Sequence, residues 1–169
     1  MLFRSDGQLI MQVTREGDMP FDVVLRSGFK DYERAALIDN LGEMVDLAGG
    51  WPRSVVPGAR VLLKVNMLSA KSPERAITTH PEVVAAAAVL LKREGCEVTV
   101  GDSPGGTVKG VQRYWENCGF SAVADELGIE LVNFEKSGSV EISIDDRNYN
   151  IAKPVIDADV LINMCKFKT

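Results

Sequence analysis

The sequence lacks the residue groupings that build metal centres. It contains three cysteines and one histidine in 169 residues, and no two cysteines form a Cys-x-x-Cys pair. Structural zinc sites and ferredoxin clusters both need closely spaced thiolates. We therefore expect no metal site and no iron–sulfur cluster within this chain. Cys96, Cys118 and Cys165 are far apart, which indicates free thiols in a reducing compartment and favours a cytoplasmic location.

Long apolar runs and an excess of positive charge are also missing. No run approaches the roughly 20 apolar residues that a membrane-spanning helix needs. The first 13 residues hold no apolar segment of the length that a signal peptide requires. Lysine and arginine number 19 against 24 aspartates and glutamates, so the net charge is -5. These properties predict a protein whose partners include neither membranes nor nucleic acids.

The glycine fingerprints of nucleotide-binding proteins are absent as well. The loop Gly101-Asp-Ser-Pro-Gly105-Gly106 matches neither the G-x-G-x-x-G motif nor a phosphate loop ending in GK[ST]. Its proline and glycines are equally compatible with an ordinary turn. The order of strands and helices allows an enzyme of the dinucleotide-binding type, but the missing motif makes this the weaker alternative.

The most informative stretch is residues 61–106, which reads as strand, loop, helix, strand and glycine-rich loop. Residues 61–66 form a short apolar run, as in a buried parallel strand. Residues 79–82, Thr-His-Pro-Glu, fit a capping box at the start of an apolar helix that ends at Gly95. Residues 97–101 alternate as the next strand. The stretch is therefore predicted to be one βαβ unit.

Further strands and helices flank this unit. The runs at 8–14 and 21–26 predict either a hairpin or one strand that joins the main sheet. The other patterns predict helices over 31–48, 111–118 and 121–127, strands over 129–134 and 160–164, and a hairpin over 140–152. We expect a single α/β domain over residues 1–169. Its architecture is a doubly wound, mostly parallel sheet of about five strands, with helices on both faces and a small β-hairpin insertion.

Polar residues cluster where the predicted strands end, and ligands bind at this edge in open α/β sheets. Side chains alternate along a strand, so Lys64 and Asn66 share one face near the end of theirs. Hydroxyls and backbone N–H groups in the loops that follow are suited to an anion. The predicted ligand-binding residues are Lys64, Asn66, Thr78, Thr79, Ser103, Gly105, Gly106, Lys166 and Lys168.

His80 and Asp102 are the candidate catalytic residues. An imidazole titrates near neutral pH and can act as acid or base, and Asp102 would orient it. Structural roles without any ligand are the alternative for two of the predicted residues. A lone histidine at a helix start also serves as a cap or packing residue, and Lys64 can extend to water instead of facing a ligand.

Three separated stretches resemble the family known as domain of unknown function 362. They are LLKVNM at 62–67, TTHPEVVAAAAVLLKREGCEVTVGDSPGG at 78–106 and DADVLINMCKFKT at 157–169. The family's strand usually reads Lys-Pro-Asn, whereas Lys64-Val65-Asn66 lacks the proline. Its terminal lysine-threonine motif usually continues with a histidine, and this sequence ends at Thr169. The resemblance implies that the chain is the N-terminal part of a longer protein, truncated at its C-terminus.

The resemblance also implies a link to iron–sulfur proteins, because many members carry a separate ferredoxin segment. Since the cysteine spacing here does not fit one, any cluster should lie outside these residues, and the chain's own cofactor stays unknown. The first hypothesis is a domain that binds a small anionic metabolite or cofactor within a redox or metabolic protein. The second is a non-catalytic scaffold that docks a ferredoxin-like domain or its own missing C-terminal region. An exposed apolar edge after Val160 would favour the second.

Overall fold

The computed structural model describes residues 2–5, 8–14, 20–26, 31–104 and 110–166. The strands are β1 (Leu2–Ser5), β2 (Gln8–Thr14), β3 (Pro20–Arg26), β4 (Arg60–Val65), β5 (Glu97–Asp102), β6 (Glu130–Asn133), β7 (Ser139–Ile144), β8 (Arg147–Ala152) and β9 (Val160–Met164). The α-helices are α1 (Arg34–Leu47), α2 (Pro81–Arg93), α3 (Val111–Asn117), α4 (Phe120–Leu127), α5 (Phe134–Ser137) and α6 (Lys153–Asp157). A 3-10 helical turn covers Pro73–Arg75.

A four-stranded parallel sheet with the order β6-β5-β4-β9 forms the centre. In its register, Leu63 of β4 lies between Val100 of β5 and Ile162 of β9. The chain runs outward from β4 through β5 to β6 and then returns to place β9 on the other side of β4. The strand order therefore reverses between β4 and β9. This crevice is the topological switch point, where doubly wound proteins bind their ligands.

The main core lies between one face of this sheet and helix α2. Val61, Leu63 and Val65 alternate along β4 with their side chains on this face, and each is at most 1% exposed. They belong to one apolar cluster with Val84 and Leu91 of α2. Each such side chain contributes about 1.5–3 kcal/mol through burial, so this strand and helix hold the domain together.

Helix α2 begins one residue later than its sequence motif indicates. The capping box predicted over residues 79–82 is wrong, because the N-cap is His80, whose Nδ1 accepts the Glu82 N–H at 3.3 Å. The Thr79 hydroxyl is bonded elsewhere, and Pro81 occupies the first helical position. The predicted end is confirmed: Gly95 follows the helix with φ of +81°, a conformation that glycine adopts without strain.

Short helices cover the opposite face of the sheet. Phe134 of α5 lies against Gly101 of β5 so closely that any side chain at Gly101 would collide with its ring. Helices α5 and α6 also pack on the antiparallel hairpin of β7 and β8. The α/β prediction is thereby confirmed, with helices on both faces, a hairpin insertion and four parallel strands in the described sheet.

A separate three-stranded antiparallel sheet, in the order β1-β2-β3, precedes the main sheet in the chain. Strands β2 and β3 pair from Gln8 opposite Arg26 to Thr14 opposite Pro20. Of the two alternatives for these runs, the hairpin is therefore confirmed. Helix α1 follows, packing on α2 and contacting β3, so that it links the two sheets.

Candidate functional site

The carboxyl edge of the parallel sheet gathers most of the predicted site residues. Strands β4, β5 and β9 all end here, and α2 begins here. Three of the predicted residues, Gly105, Gly106 and Lys168, lie outside the described part of the chain. The described residues at or next to this edge are Lys64, Asn66, Thr78, Thr79, His80, Asp102, Ser103 and Lys166.

Lys64 and Asp102 form an ion pair that joins the ends of β4 and β5. The Lys64 ammonium donates to Asp102 Oδ1 at 2.9 Å and to the Val65 carbonyl at 3.1 Å. Asp102 Oδ2 accepts the Met67 N–H at 2.6 Å. The Asp102 side chain is only 6% exposed, so its charge needs these partners to offset the cost of leaving water. The pair thus fixes the start of the loop after β4.

Thr79 connects the two strands that flank the switch point. Its hydroxyl accepts the Asn66 N–H at 2.9 Å and donates to the Met164 carbonyl at 2.6 Å. The Thr79 N–H in turn donates to the Asn66 carbonyl at 3.2 Å. Because Thr79 is 5% exposed, these bonds are shielded from water. Thr79 therefore holds the end of β4, the end of β9 and the entry to α2 in one arrangement.

His80 stacks on an aromatic ring at the entry to α2. Its imidazole lies parallel to the Tyr32 ring, with centroids 3.5 Å apart and planes at 4°. Burial is the largest influence on His80 and lowers its pKa. Glu82 raises the pKa, Lys166 lowers it, and Glu74 raises it. The ring is consequently neutral at pH 7. With Nδ1 accepting the Glu82 N–H, the proton sits on Nε2.

The geometry does not pair the two candidate catalytic residues. Both oxygens of Asp102 are bonded to Lys64 and the Met67 backbone, and His80 instead contacts Tyr32 and the start of α2. The capping role of His80, which the sequence left open, is confirmed. An acid or base role for His80 stays a prediction that no contact with Asp102 supports.

Two predicted hydroxyls are engaged away from the crevice between β4 and β9. The exposed Ser103 hydroxyl donates to the carboxylate of Glu135 on α5. Thr78 is buried, and its side chain hydrogen-bonds the thiol of Cys118. Burial raises the pKa of the Cys118 thiol more than this hydrogen bond lowers it, so the thiol stays protonated. These contacts indicate structural roles for Ser103 and Thr78.

Lys166 differs from Lys64 in its charge partners. Within residues 31–104 and 110–166, no ion pair is formed by Lys166. It lies near enough to His80 for its charge to lower the imidazole pKa. Lys166 is partly buried, so solvent screens this charge less than it screens a fully exposed lysine. Of the described lysines at this edge, Lys166 is the one whose charge no ion pair there takes up.

A second group of ion pairs, which was not predicted from the sequence, connects the helices behind the site. Arg34 donates from Nη2 to Glu82 Oε1 at 3.0 Å and also bonds Glu126. The Arg34 guanidinium lowers the pKa of Glu82, and both carboxylates raise the pKa of Arg34. Arg34 precedes Glu82 by 48 residues, so no local motif connects the two. The group links α1, α2 and α4, and Glu82 still acts on His80 by raising its pKa.

Some arrangements do not occur among the residues that the structure describes. No group of three or more histidine, cysteine, aspartate or glutamate side chains is positioned there to hold a metal ion. The cysteines form no disulfide, with Cys96 and Cys118 buried and Cys165 exposed. No helix in these segments is both long enough and apolar enough to cross a membrane.

Comparisons with known proteins agree with the resemblance noted in the sequence. The model of a family described as "Domain of unknown function (DUF362)" matches residues 61–169. A thylakoid-associated protein of Synechocystis sp. is 38% identical over 148 residues, which make up 86% of this chain and 44% of the relative. The chain thus spans less than half the length of that relative. No solved structure matches the chain significantly.

Proposed function

The chain belongs to the family of the domain of unknown function 362, and on that premise we propose that it binds a small anionic metabolite or cofactor. The binding site is the crevice between the carboxyl ends of β4 and β9, next to the start of α2. One observation carries the proposal: Lys166, a cation without an ion pair in the described residues, lies beside a neutral His80 at the topological switch point.

The backbone around the crevice supports binding because it is held in place before any ligand arrives. Thr79 bonds both the Asn66 N–H and the Met164 carbonyl, so the two strand ends keep a fixed separation. A preformed site loses less conformational entropy on binding than a flexible one. Thr79 acts in this proposal as a positioning residue, which shapes the site without touching the ligand.

The charges around the crevice support an anion in preference to a cation. Lys64 is paired with Asp102, and Glu82 is paired with Arg34. The charges of Glu82 and Glu74 both still act on His80. Lys166 supplies a positive charge that no ion pair within the described residues takes up, and the N-terminal end of the 13-residue helix α2 adds to it. The Nε2–H of a neutral His80 provides a hydrogen-bond donor. Contributions from Lys168, Gly105 and Gly106 stay predictions.

A titration with inorganic pyrophosphate tests the proposal, with His80 as reporter. His80 is the only histidine in the chain, so its imidazole gives one set of NMR signals. At pH 7.5 we expect pyrophosphate to shift these signals saturably. Lys166→Met should weaken binding on the order of tenfold, which equals about 1.4 kcal/mol. Lys136→Met removes an equal charge from an exposed position on helix α5 and is the matched control, expected to change the affinity less than twofold. Unsaturable shifts, or equal affinities for the two variants, would refute the proposal of an anion site at Lys166.

We further propose that this domain serves a redox or metabolic protein whose ferredoxin-like, iron–sulfur segments lie outside these residues. The support is the family resemblance together with cysteine spacing that does not suit a cluster. The full-length gene product, purified without oxygen, should then show the visible absorption of a cluster while residues 1–169 show none. A colourless, iron-free full-length protein would contradict this link.

A second candidate function, docking, is favoured by an exposed apolar residue on β9. Strand β9 is an edge of the described sheet, and Leu161 on it is 45% exposed. Parallel sheets normally have both faces covered, so an open face here suits a ferredoxin-like domain or further residues of the same polypeptide. Docking predicts that β9 amides exchange hydrogen at least about tenfold more slowly in the full-length gene product than in residues 1–169. Equal exchange rates would exclude docking on this strand.

The location of the protein is open to a direct test. We propose a cytoplasmic location because the described cysteines form no disulfide. The thylakoid association of the Synechocystis relative suggests the alternative of attachment to a membrane surface. Fractionation of cells at low and high salt separates the two: recovery in the cytosolic fraction at both salt concentrations supports the proposal, and recovery with membranes contradicts it.

A further inference from the structure

Besides the crevice between β4 and β9, a pocket of about 310 Å³ lies between helices α1 and α2. Its apolar wall consists of Leu37, Leu41 and Met44 from α1 and of Val83 and Ala86 from α2. This volume is at the lower end of the range for small-molecule sites. It is about twice the volume of an engineered apolar cavity of about 150 Å³ that takes up benzene. The pocket is therefore large enough for a single aromatic ring with a short chain.

Among the described residues that line this pocket, Asp31 is the only charged one, and its charge is negative. Asp31 contributes an exposed carboxylate, which also accepts the Glu33 N–H. Asn40 donates one of its two amide N–H groups to the Ala36 carbonyl, and its side-chain oxygen can accept a hydrogen bond from a ligand. The ring of Tyr32 completes this side, and aromatic faces attract cations. The polar part of a matching ligand is thus a donor with positive charge.

We propose that the pocket between α1 and α2 binds a small amphiphilic amine, with its apolar body against the two helices and its ammonium group near Asp31. This site is separate from the crevice between β4 and β9, and the two have opposite charge preferences. They share a boundary at Tyr32, which lines the pocket and stacks on His80. Occupation of the pocket therefore alters the surroundings of the single histidine.

A pair of probes with the same apolar body and opposite charges tests this proposal. We expect 4-phenylbutylamine to shift the His80 NMR signals saturably and to bind on the order of tenfold more tightly than 4-phenylbutyrate. Asp31→Asn, at an exposed position, should reduce this ratio to about one. Asp39→Asn removes an equal charge from an exposed site on helix α1 and should leave the ratio unchanged.

A further variant tests the shape of the pocket. Val83→Phe fills the space between the helices and should abolish binding of both probes; if it fails to fold, Asp31→Asn still decides the question. The proposal is overturned if neither probe saturates, if the carboxylate binds as tightly as the amine, or if Asp31→Asn and Asp39→Asn give equal ratios. Lys166→Met should leave amine binding intact and Asp31→Asn should leave pyrophosphate binding intact, so the two sites can fail independently.

Discussion

Two lysines at the same edge of the sheet have opposite relations to the protein around them. Lys64, at the end of β4, bonds the buried carboxylate of Asp102. Lys166, just after β9, forms no ion pair in the segments that the structure describes, and its charge acts on His80. Each lysine lies at the end of a parallel strand, so the sequence predicted both as ligand-binding residues on the same grounds. The difference shows that a charge satisfied inside the protein contributes to the fold, whereas an unsatisfied one is available for binding.

The largest expected effect comes from breaking the ion pair of Lys64 and Asp102. Lys64→Ala leaves the Asp102 carboxylate buried with only the Met67 N–H as partner, which should cost about 3 kcal/mol of unfolding free energy. Lys166→Ala should cost less than about 0.5 kcal/mol. Urea denaturation of both variants measures the contrast.

The double variant Lys64→Met with Asp102→Asn is the control for this prediction. It removes both charges, while the amide that replaces the carboxylate can still accept the Met67 N–H, so most of the lost stability should return. If Lys64→Ala and Lys166→Ala were equally stable, the assignment of Lys64 to the fold would be wrong.

The next largest effect concerns the hydroxyl between the two strand ends. Thr79→Val keeps the shape of the side chain but leaves the Asn66 N–H and the Met164 carbonyl without this partner. We expect a loss of about 2 kcal/mol in unfolding free energy and weaker pyrophosphate binding. Thr79→Ser, which retains the hydroxyl, should stay near the wild type in both; a stable, fully binding Thr79→Val would show that the crevice needs no such connection.

A smaller effect is the pH dependence that His80 contributes to stability. Burial holds the pKa of folded His80 below its unfolded value near 6.5, so the unfolded chain binds more protons in acid. The contribution of His80 therefore makes the protein less stable as pH falls below that value. Unfolding free energies at pH 5.5 and 8 should differ less in His80→Gln than in the wild type. A larger difference in the variant would show that His80 stabilises the protein in acid, which contradicts this prediction.

The smallest effect separates the two lysines by their influence on the imidazole. Lys166 lowers the pKa of His80, and Lys64 is not among the charges that act on it. Lys166→Met should therefore raise the His80 pKa, whereas Lys64→Met with Asp102→Asn should leave it unchanged. NMR titration of the single histidine measures both, and a pKa that moves only in the double variant would contradict the placement of Lys166.

The βαβ unit could be predicted because its signals are local. The apolar run of β4, the apolar helix α2 and Gly95 at its end all follow from neighbouring residues. The position of β9 beside β4 could not, since strand order depends on how distant segments pack. The same limit applies to Thr79: its motif indicated a helix cap, but the hydroxyl is bonded to Met164, 85 residues away.

The sequence indicated the edge of the sheet where the candidate site residues lie, but only some of the contacts that they make there. Strand ends in a parallel sheet meet at one edge, so residues after β4, β5 and β9 were expected together. Which lysine pairs with Asp102, and that His80 stacks on Tyr32, depends on side-chain geometry between residues that are far apart in the sequence. No periodicity or spacing rule carries that information.

The affinity for pyrophosphate in two variants decides whether Lys166 or the pair of Lys64 and Asp102 belongs to the anion site. We predict that Lys166→Met binds pyrophosphate on the order of tenfold more weakly than the wild type, while Lys64→Met with Asp102→Asn binds it within about twofold of the wild type. Both are read from the His80 signals at pH 7.5, after urea denaturation has shown that each variant is folded. The reverse order, with binding lost in the double variant and kept in Lys166→Met, would show that the pair at β4 and β5 is the binding site.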